Sequence, residues 1–245
     1  MAGACRSERA VTQIPRAPLS PLLSGEQQLS KELGGYLVRV LRLRAGDRCV
    51  LFDPDSGLEA DAEMLRDVPT IVRIAEPRPA PRVSRREVTL LQGLAKGDKP
   101  EQVLRAAVAL GVSHVRFVRT ERSMSGAELR VDRLRAVMLD VARQCGRGDL
   151  PTLGELIELE AALKTPVAGL GLLLDPNAER SLVETLRSLS AEHPLTLAIG
   201  PEGGFSEAES QALLAAGYQA VRLAPFVLRT ELAAVAALSV VAAHG

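Results

Sequence analysis

The sequence is poor in aromatic side chains and in cysteine. It has two Tyr, four Phe and no Trp in 245 residues, so its core must be built from aliphatic side chains. A platform of aromatic rings that stacks on nucleic-acid bases is therefore not expected. Cys5, Cys49 and Cys145 are too few and too scattered for a disulfide framework or a zinc site, which favours a reducing compartment.

Long apolar runs are also absent from the sequence. The longest one, residues 232–243, is shorter than the about 20 residues that a helix needs to span a bilayer. Residues 1–18 contain Arg but no apolar stretch behind it, so they lack the pattern of a signal peptide. The expected location is the cytoplasm.

Charge is balanced over the whole chain but unevenly distributed along it. Residues 83–150 carry 13 basic and 8 acidic side chains, whereas residues 151–245 carry 5 basic and 11 acidic ones. A basic middle segment suits contact with a phosphate backbone. Solvated helix faces would give the same pattern, so charge alone leaves nucleic-acid binding open.

The first third of the chain predicts a small β-barrel-like domain. Residues 1–20 have little periodicity and are expected to form a loose leader. A helix is expected at residues 30–42, and three Pro in residues 76–82 indicate a stiff linker. The strand-like segments are residues 48–52, 59–64 and 70–74. The predicted domain with its linker covers residues 21–82.

The second predicted domain, residues 83–245, alternates strand-like and helix-like segments. This alternation predicts a mainly parallel sheet with helices on both faces. Strands are expected at residues 87–91, 115–118, 171–174, 195–199 and 220–223. Helices are expected from about residue 99, over 132–145 and 179–189, from 206, and over 230–243. Ser206 and Glu209 have the spacing of a capping box.

Two loops that each follow a predicted strand and precede a predicted helix are candidate ligand sites. The loop at residues 199–206 contains three Gly, which let a backbone approach a ligand closely. The loop at residues 223–231 places Arg229 and Glu231 in an otherwise apolar stretch. Ligands of open α/β sheets bind at the carboxyl ends of strands, so both positions suit a site. A tight structural turn and a structural ion pair are the alternatives.

Other polar residues give weaker signals. Asp175 follows a predicted strand, and residues 143–147 end the basic helix. His114 and His193 are expected to be surface or hydrogen-bonded residues. Cys145 is expected to be a packing thiol, because no activating base lies near it in the sequence.

Together the two loops resemble the paired C-terminal signature of the RsmE family, the uridine-N3 methyltransferases of 16S rRNA within the SPOUT superfamily. The signature segments are Gly-Pro-Glu-Gly-Gly at 200–204 and Leu-Arg-Thr-Glu at 228–231. Further similar segments, in the family's order, are residues 40–42, 51–53, 96–99, 110–112, 120–123 and 144–147. Ala224, Phe226 and Leu232 depart from the family pattern.

The resemblance implies a fold, a cofactor and partners. The fold is an α/β SPOUT domain, with a mainly parallel sheet and a trefoil knot, preceded by a small PUA-like β-barrel domain. General folding rules make knots almost absent, so the knot is implied by the resemblance alone. The implied cofactor is S-adenosyl-L-methionine, without a metal. The implied partners are 16S rRNA in the small ribosomal subunit and a second copy of the chain.

The resemblance also implies site residues. The cofactor would bind among Leu174, Asp175, Gly200, Pro201, Glu202, Gly203, Gly204, Leu223, Ala224, Val227 and Leu228. Arg229 is the expected stabiliser of the anion that forms when uracil N3 loses its proton. Glu231 or Glu202 would take that proton or orient Arg229. The expected RNA contacts are Arg39, Arg42, Arg122 and Arg147.

Two other functions fit parts of the pattern. One is an rRNA-binding assembly protein without catalysis, against which Arg229 and Glu231 argue. The other is a SPOUT enzyme that methylates tRNA or a ribose 2′-hydroxyl. The joint presence of the barrel-like domain and both signature loops favours the uridine-N3 activity over it.

Overall fold

The computed structural model describes residues 14–81, 86–123 and 128–244. Its contacts divide the chain into two compact units, Met1–Ala80 and Pro81–Gly245, which are called here the N-terminal unit and the C-terminal unit.

The N-terminal unit, in its described part, is a six-stranded sheet around an aliphatic core. Its strands are β1 (Arg16–Pro18), β2 (Gly25–Gln28), β3 (Arg48–Asp53), β4 (Leu58–Arg66), β5 (Ile71–Ile74) and β6 (Arg78–Pro79). The order is β1-β3-β4-β5-β2 with β6 beside β4, and only β1 and β3 among these described strands pair in parallel. Leu37, Leu51, Met64 and Val72 are fully buried, as expected for a core without Trp.

Three segments of this unit form strands that the sequence did not predict, and one of them is β2, which pairs with β5. Residues 16–18, expected in a loose leader, form β1 and pair with β3. Arg78 and Pro79, expected in a stiff linker, form β6, and the Arg78 guanidinium pairs with Glu59 and Asp61 of β4. Proline is tolerated in a strand at an edge, so a proline-rich pattern does not exclude one.

The helix predicted at residues 30–42 is present in two parts. The first is α1 (Lys31–Gly35), whose start is capped by the Ser30 hydroxyl, which accepts a hydrogen bond from the Leu33 N–H. A π-helical turn, Tyr36–Val40, continues it. Arg42 then adopts a left-handed φ of 59°, which ends the helical stretch.

The C-terminal unit, in its described part, is a seven-stranded parallel sheet with helices between the strands. The strands are β7 (Val88–Gly93), β8 (His114–Arg119), β9 (Thr152–Leu153), β10 (Ile157–Glu158), β11 (Leu170–Leu174), β12 (Leu195–Ile199) and β13 (Gln219–Val221). The order is β10-β8-β7-β12-β11-β13, with β9 beside β8. The helices are α2 (Lys99–Ala109), α3 (Val131–Cys145), α4 (Leu159–Ala162), α5 (Leu182–Arg187), α6 (Glu207–Ala215) and α7 (Thr230–His244).

Local signals set several of these helix boundaries. Gly146 ends α3 in a left-handed conformation, and Ser206 with Glu209 forms the predicted capping box of α6. A second capping box at Ser181 starts α5 later than the residue 179 expected from the sequence. No helix in the part of the chain that the structure describes is long and apolar enough to cross a bilayer.

Burial explains why the central strands of this sheet have continuous apolar sequences. Every residue of β12 is buried, and β7 beside it has one partly buried position. Strands of a parallel sheet that is covered on both faces read as continuous apolar runs, which is why residues 195–199 were predicted at their observed bounds.

Candidate functional site

An open crevice lies beyond the carboxyl ends of β11, β12 and β13, which are neighbours in the sheet. Two of its walls are the Gly-rich loop (residues 200–204) and the C-terminal loop (residues 222–229). The crevice and the open space at its mouth together enclose about 600 Å³. Its position at the carboxyl ends of parallel strands is where ligands of open α/β sheets bind.

The structure brings the residues predicted to hold the cofactor into this crevice. All of them line it except Gly203, which lines an adjoining cavity. A Cβ at Gly203 would lie 3.1 Å from Arg122 Cδ, so a side chain there would meet a flexible neighbour first. The shape of the crevice depends more directly on Gly200.

Two glycines let the Gly-rich loop fold tightly against the sheet. A Cβ at Gly200 would lie 2.9 Å from backbone atoms of Gly204 and Phe205. A Cβ at Gly93, the last residue of β7, would lie 2.5 Å from the Pro201 ring. Backbone and ring atoms cannot move aside at low cost, so both positions exclude a side chain.

Three side chains hold the Gly-rich loop through contacts that the sequence did not predict, although one of them, Arg122, was expected to contact RNA. Lys99 of α2 donates from Nζ to Glu202 Oε1 at 2.8 Å, and Arg122 donates from Nη1 to the Gly203 carbonyl at 2.6 Å. Gln92 donates to the Gly200 carbonyl at 3.3 Å. Lys99 and Arg122 lie in segments that resemble the family, but sequence gave no signal for these partners, which are remote along the chain.

Glu202, one of the two candidate bases, is engaged with neighbours. Its Oε1 accepts hydrogen bonds from Lys99 Nζ and from the Lys96 N–H, and its side chain is 31% exposed. Burial raises the pKa of the Glu202 carboxyl, but these hydrogen bonds outweigh burial and hold the pKa below its ordinary value. A carboxylate with a lowered pKa is a weak base, so Glu202 suits positioning better than proton abstraction.

Arg229 and Glu231 flank the start of α7. Arg229 is exposed, and Glu231 is partly buried with its Oε2 shielded from solvent and without a hydrogen-bond partner in the described part of the chain. The two side chains form no ion pair with each other, although both are described. The alternative of a structural Arg229–Glu231 pair is therefore not realised. Buried acceptors are usually satisfied, so the Glu231 oxygen calls for a functional explanation.

The predicted RNA contacts fall into two groups. Arg39 and Arg42 are exposed in the N-terminal unit, and Arg122 is exposed while it also holds the Gly-rich loop. Arg147 is different, because it is only 3% exposed and binds both carboxylate oxygens of Asp149. The prediction that Arg147 contacts RNA is therefore corrected: its guanidinium is buried in the fold.

Many cations of the basic middle segment are paired on the surface. The ion pairs are Arg105 with Asp140, Arg119 with Glu158, Arg133 with Glu101, and Arg143 with Asp140. Ion pairs on a protein surface contribute little to stability, so these arginines can leave their carboxylate partners at little cost. The segment can therefore still bind phosphates. Cys145, expected to pack, is exposed. Within the described ranges no group of three or more His, Cys, Asp and Glu side chains is arranged to hold a metal ion.

The fold and the crevice are those of an RNA methyltransferase. The family model described as an RNA methyltransferase domain matches residues 82–242, and the one described as an RNA methyltransferase PUA domain matches residues 29–66. The chain belongs to the ribosomal RNA small subunit methyltransferase E family, as the sequence signature predicted. The predicted fold class, a SPOUT-type α/β domain after a PUA-like unit, is confirmed.

Individual relatives support this assignment. The chain is 31% identical over 224 residues to ribosomal RNA small subunit methyltransferase E of Mycobacterium bovis, covering 85% of this chain and 82% of the relative. The Neisseria gonorrhoeae enzyme of the same name, solved with S-adenosyl methionine bound, matches with a TM-score of 0.80 and 30% identity, covering 92% and 95% of the two chains. A Legionella pneumophila protein solved with the cofactor SAM matches with a TM-score of 0.82 and 29% identity, covering 95% and 98%.

Proposed function

We propose that this protein uses S-adenosyl-L-methionine to methylate N3 of one uridine in the 16S rRNA of the small ribosomal subunit. The observation that carries the proposal is the crevice, in which the two signature loops meet at the carboxyl ends of three parallel strands. Relatives of the same family are named for small-subunit rRNA methylation, and similar structures hold the methyl donor.

The residues of the crevice fit S-adenosylmethionine. Leu174, Leu223 and Leu228 supply apolar walls for a nucleoside base, and the backbone at Gly200 lets main-chain groups approach it closely. Asp175 brings a carboxylate to the same crevice, which suits a cationic ligand. When bound, the cofactor supplies an electrophilic methyl group.

The side chains of the protein must remove the proton from uracil N3 and stabilise the anion that results, because N3 is a poor nucleophile until its proton leaves. Glu231 has an unpartnered carboxylate oxygen and is the base that we favour, because the carboxylate of Glu202 is engaged by two donors. Arg229 would stabilise the negative charge that spreads over N3 and the ring oxygens. The Arg229 guanidinium is available for this role, because it forms no ion pair with Glu231.

Each unit has a part in the proposal. Residues 21–82 would bind rRNA as a PUA-like domain, through exposed cations such as Arg39 and Arg42. Residues 83–245 would carry the methyltransferase site, with the C-terminal segment threaded as a trefoil knot. Arg122, which is exposed beside the Gly-rich loop, would lie near bound RNA. The enzyme would act in the cytoplasm, where ribosomal subunits are assembled.

The test is a map of methylated nucleotides in rRNA from cells with and without the gene. Cells that lack the gene are expected to lose a single N3-methyluridine in 16S rRNA and to regain it when the intact gene is restored. Unchanged 16S rRNA with a loss in tRNA would point to another SPOUT activity. A lost ribose 2′-O-methyl group would do the same, and no change anywhere would favour an assembly protein.

The second copy of the chain would bind along α7. Leu232 and Val235 are 53% and 40% exposed and lie three residues apart, so they share one helix face, and Phe226 and Val227 add exposed apolar surface nearby in the sequence. An isologous dimer would cover this surface.

Leu232→Glu combined with Val235→Glu is expected to convert a dimer to a monomer at micromolar concentration, because four like charges would be buried at a two-fold interface. Light scattering coupled to gel filtration measures the mass directly. Val183→Glu, on the exposed face of α5, is the matched control and should leave the dimer intact. A wild-type protein that is already monomeric would contradict the dimer.

A further inference from the structure

Gln92, the penultimate residue of β7, is fully buried and lies outside the lining of the crevice. Its amide Nε2 lies 2.9 Å from Thr230 Oγ1 and 3.0 Å from the Gly93 carbonyl. The carbonyls of Ile199 and Gly200 lie 3.4 and 3.3 Å from the same nitrogen. One amide group therefore contacts β7, the end of β12 and the start of α7.

These neighbours fix the orientation of the amide. Three of the four atoms around Nε2 are carbonyl oxygens, which can only accept hydrogen bonds, so the NH2 group and not the oxygen must face them. The fourth, Thr230 Oγ1, accepts from Gln92 and donates to the Gly200 carbonyl at 2.6 Å. A relay thus runs from Gln92 through Thr230 to Gly200.

The relay joins the two loops that shape the crevice. Gly200 opens the Gly-rich loop, whereas Thr230 follows the C-terminal loop and begins α7. Both residues line the crevice, although Gln92 does not. A fixed distance between Gly200 and Thr230 therefore sets the spacing of the two walls.

The arrangement has a cost in stability. Gln92 Oε1 is buried and has no hydrogen-bond partner in the described residues. A buried acceptor without a partner is destabilising, so the oxygen offsets part of what the hydrogen bonds of the NH2 group contribute to stability. Stability therefore explains a glutamine here only in part, and the spacing of the loops supplies a further reason for it.

We propose that Gln92 is a positioning residue that acts through Thr230 to hold the two crevice loops at the spacing that S-adenosylmethionine requires. The inference rests on the proposed function, since it assigns that crevice to the methyl donor. Gln92 does not touch the donor or the RNA base. Its effect is on the affinity of the crevice and not on the chemical step.

The first variants remove the relay at either end. Gln92→Met removes the donor and keeps a similar volume, and Thr230→Val removes the hydroxyl and keeps the shape. Each is expected to raise the Kd for S-adenosylmethionine about tenfold in calorimetry, and the KM for it by the same factor. The kcat at saturating S-adenosylmethionine on undermodified small subunits should stay within about twofold of wild type, because the chemical groups are intact.

Two further variants separate positioning from stability. Thr230→Ser keeps the hydroxyl and should bind as wild type does. Thr196→Val is the matched control, because it removes a buried threonine hydroxyl bonded to the Ala168 carbonyl near the start of β12, away from the crevice. Its Tm should fall about as far as that of Thr230→Val, while its Kd stays unchanged.

The double variant Gln92→Met/Thr230→Val tests the relay itself. Both changes break the same chain of hydrogen bonds. The Kd of the double variant for S-adenosylmethionine should therefore be no higher than that of the single variant with the higher Kd. Additive losses, or an unchanged Kd in folded single variants, would overturn the inference while leaving the proposed function in place. A wild-type protein that fails to bind S-adenosylmethionine would overturn both. If Gln92→Met does not fold, Thr230→Val and Thr230→Ser decide the question.

Discussion

Arg229→Ala is expected to lower the methylation rate by about 100-fold or more, the scale seen when one well-placed electrostatic donor is removed. The guanidinium is most useful once N3 has lost its proton, because negative charge is then spread over the uracil ring. Affinity for S-adenosylmethionine should change little, since Arg229 does not line the crevice. Single-turnover kinetics on undermodified small subunits would measure the rate, and calorimetry the affinity.

Two further variants test the role of the Arg229 charge. Arg229→Lys keeps the charge but loses the planar guanidinium, so it should restore only part of the rate. Arg229→Ala combined with Glu231→Ala should be no faster than Arg229→Ala alone, because the two side chains form no ion pair whose loss the second change could relieve. Near-normal turnover of this double variant would therefore exclude a catalytic role for Arg229.

Gly200→Ala is expected to weaken binding of S-adenosylmethionine by roughly 100-fold, near the upper end of the cost of overpacking. The new Cβ would lie 2.9 Å from backbone atoms of Gly204 and Phe205, so the Gly-rich loop must open. Calorimetry on the folded variant measures the loss, and thermal unfolding shows how much of it comes from stability.

Gly203→Ala is the matched control for this prediction. Its Cβ would also be close to a neighbour, at 3.1 Å, but that neighbour is the flexible Arg122 side chain, which can move. Affinity should fall only slightly. Equal losses in Gly200→Ala and Gly203→Ala would show that any side chain in this loop is harmful, and that the backbone contact at Gly200 has no special part.

The parts of the fold that sequence predicted are those with local signals. Residues 195–199 were predicted at their observed bounds because a fully buried parallel strand is a continuous apolar run. The start of α6 followed from Ser206 and Glu209, which satisfy each other within one turn. The sequence analysis missed five strands, because each is short and is defined by pairing with a remote strand: β1, β2, β6, β9 and β10.

For the candidate site, too, local features could be predicted from the sequence, whereas contacts between remote residues could not. The two loops were recognised from their residues and their place after strands, and the structure brings them together in one crevice. The partners of single side chains were not predictable. Lys99 donates a hydrogen bond to Glu202, which lies 103 residues away along the chain. Gln92 donates one to Thr230, which lies 138 residues away. Arg147 belongs to a recognised motif, yet it is buried and donates to the carbonyl of Val108 in α2, a contact 39 residues away along the chain.

Helix α7 follows every strand of the described sheet along the chain, and this order determines how the crevice is assembled during synthesis. All strands of the described sheet are complete at Val221, so a nascent chain that has emerged to that point can already form its sheet. At that point the crevice still lacks the wall that includes Thr230 and Ala233. The hydrogen bond from Gln92 to Thr230 cannot form either, because Thr230 has not yet emerged. Capacity to hold a methyl donor should therefore arise only after the start of α7 has left the ribosome.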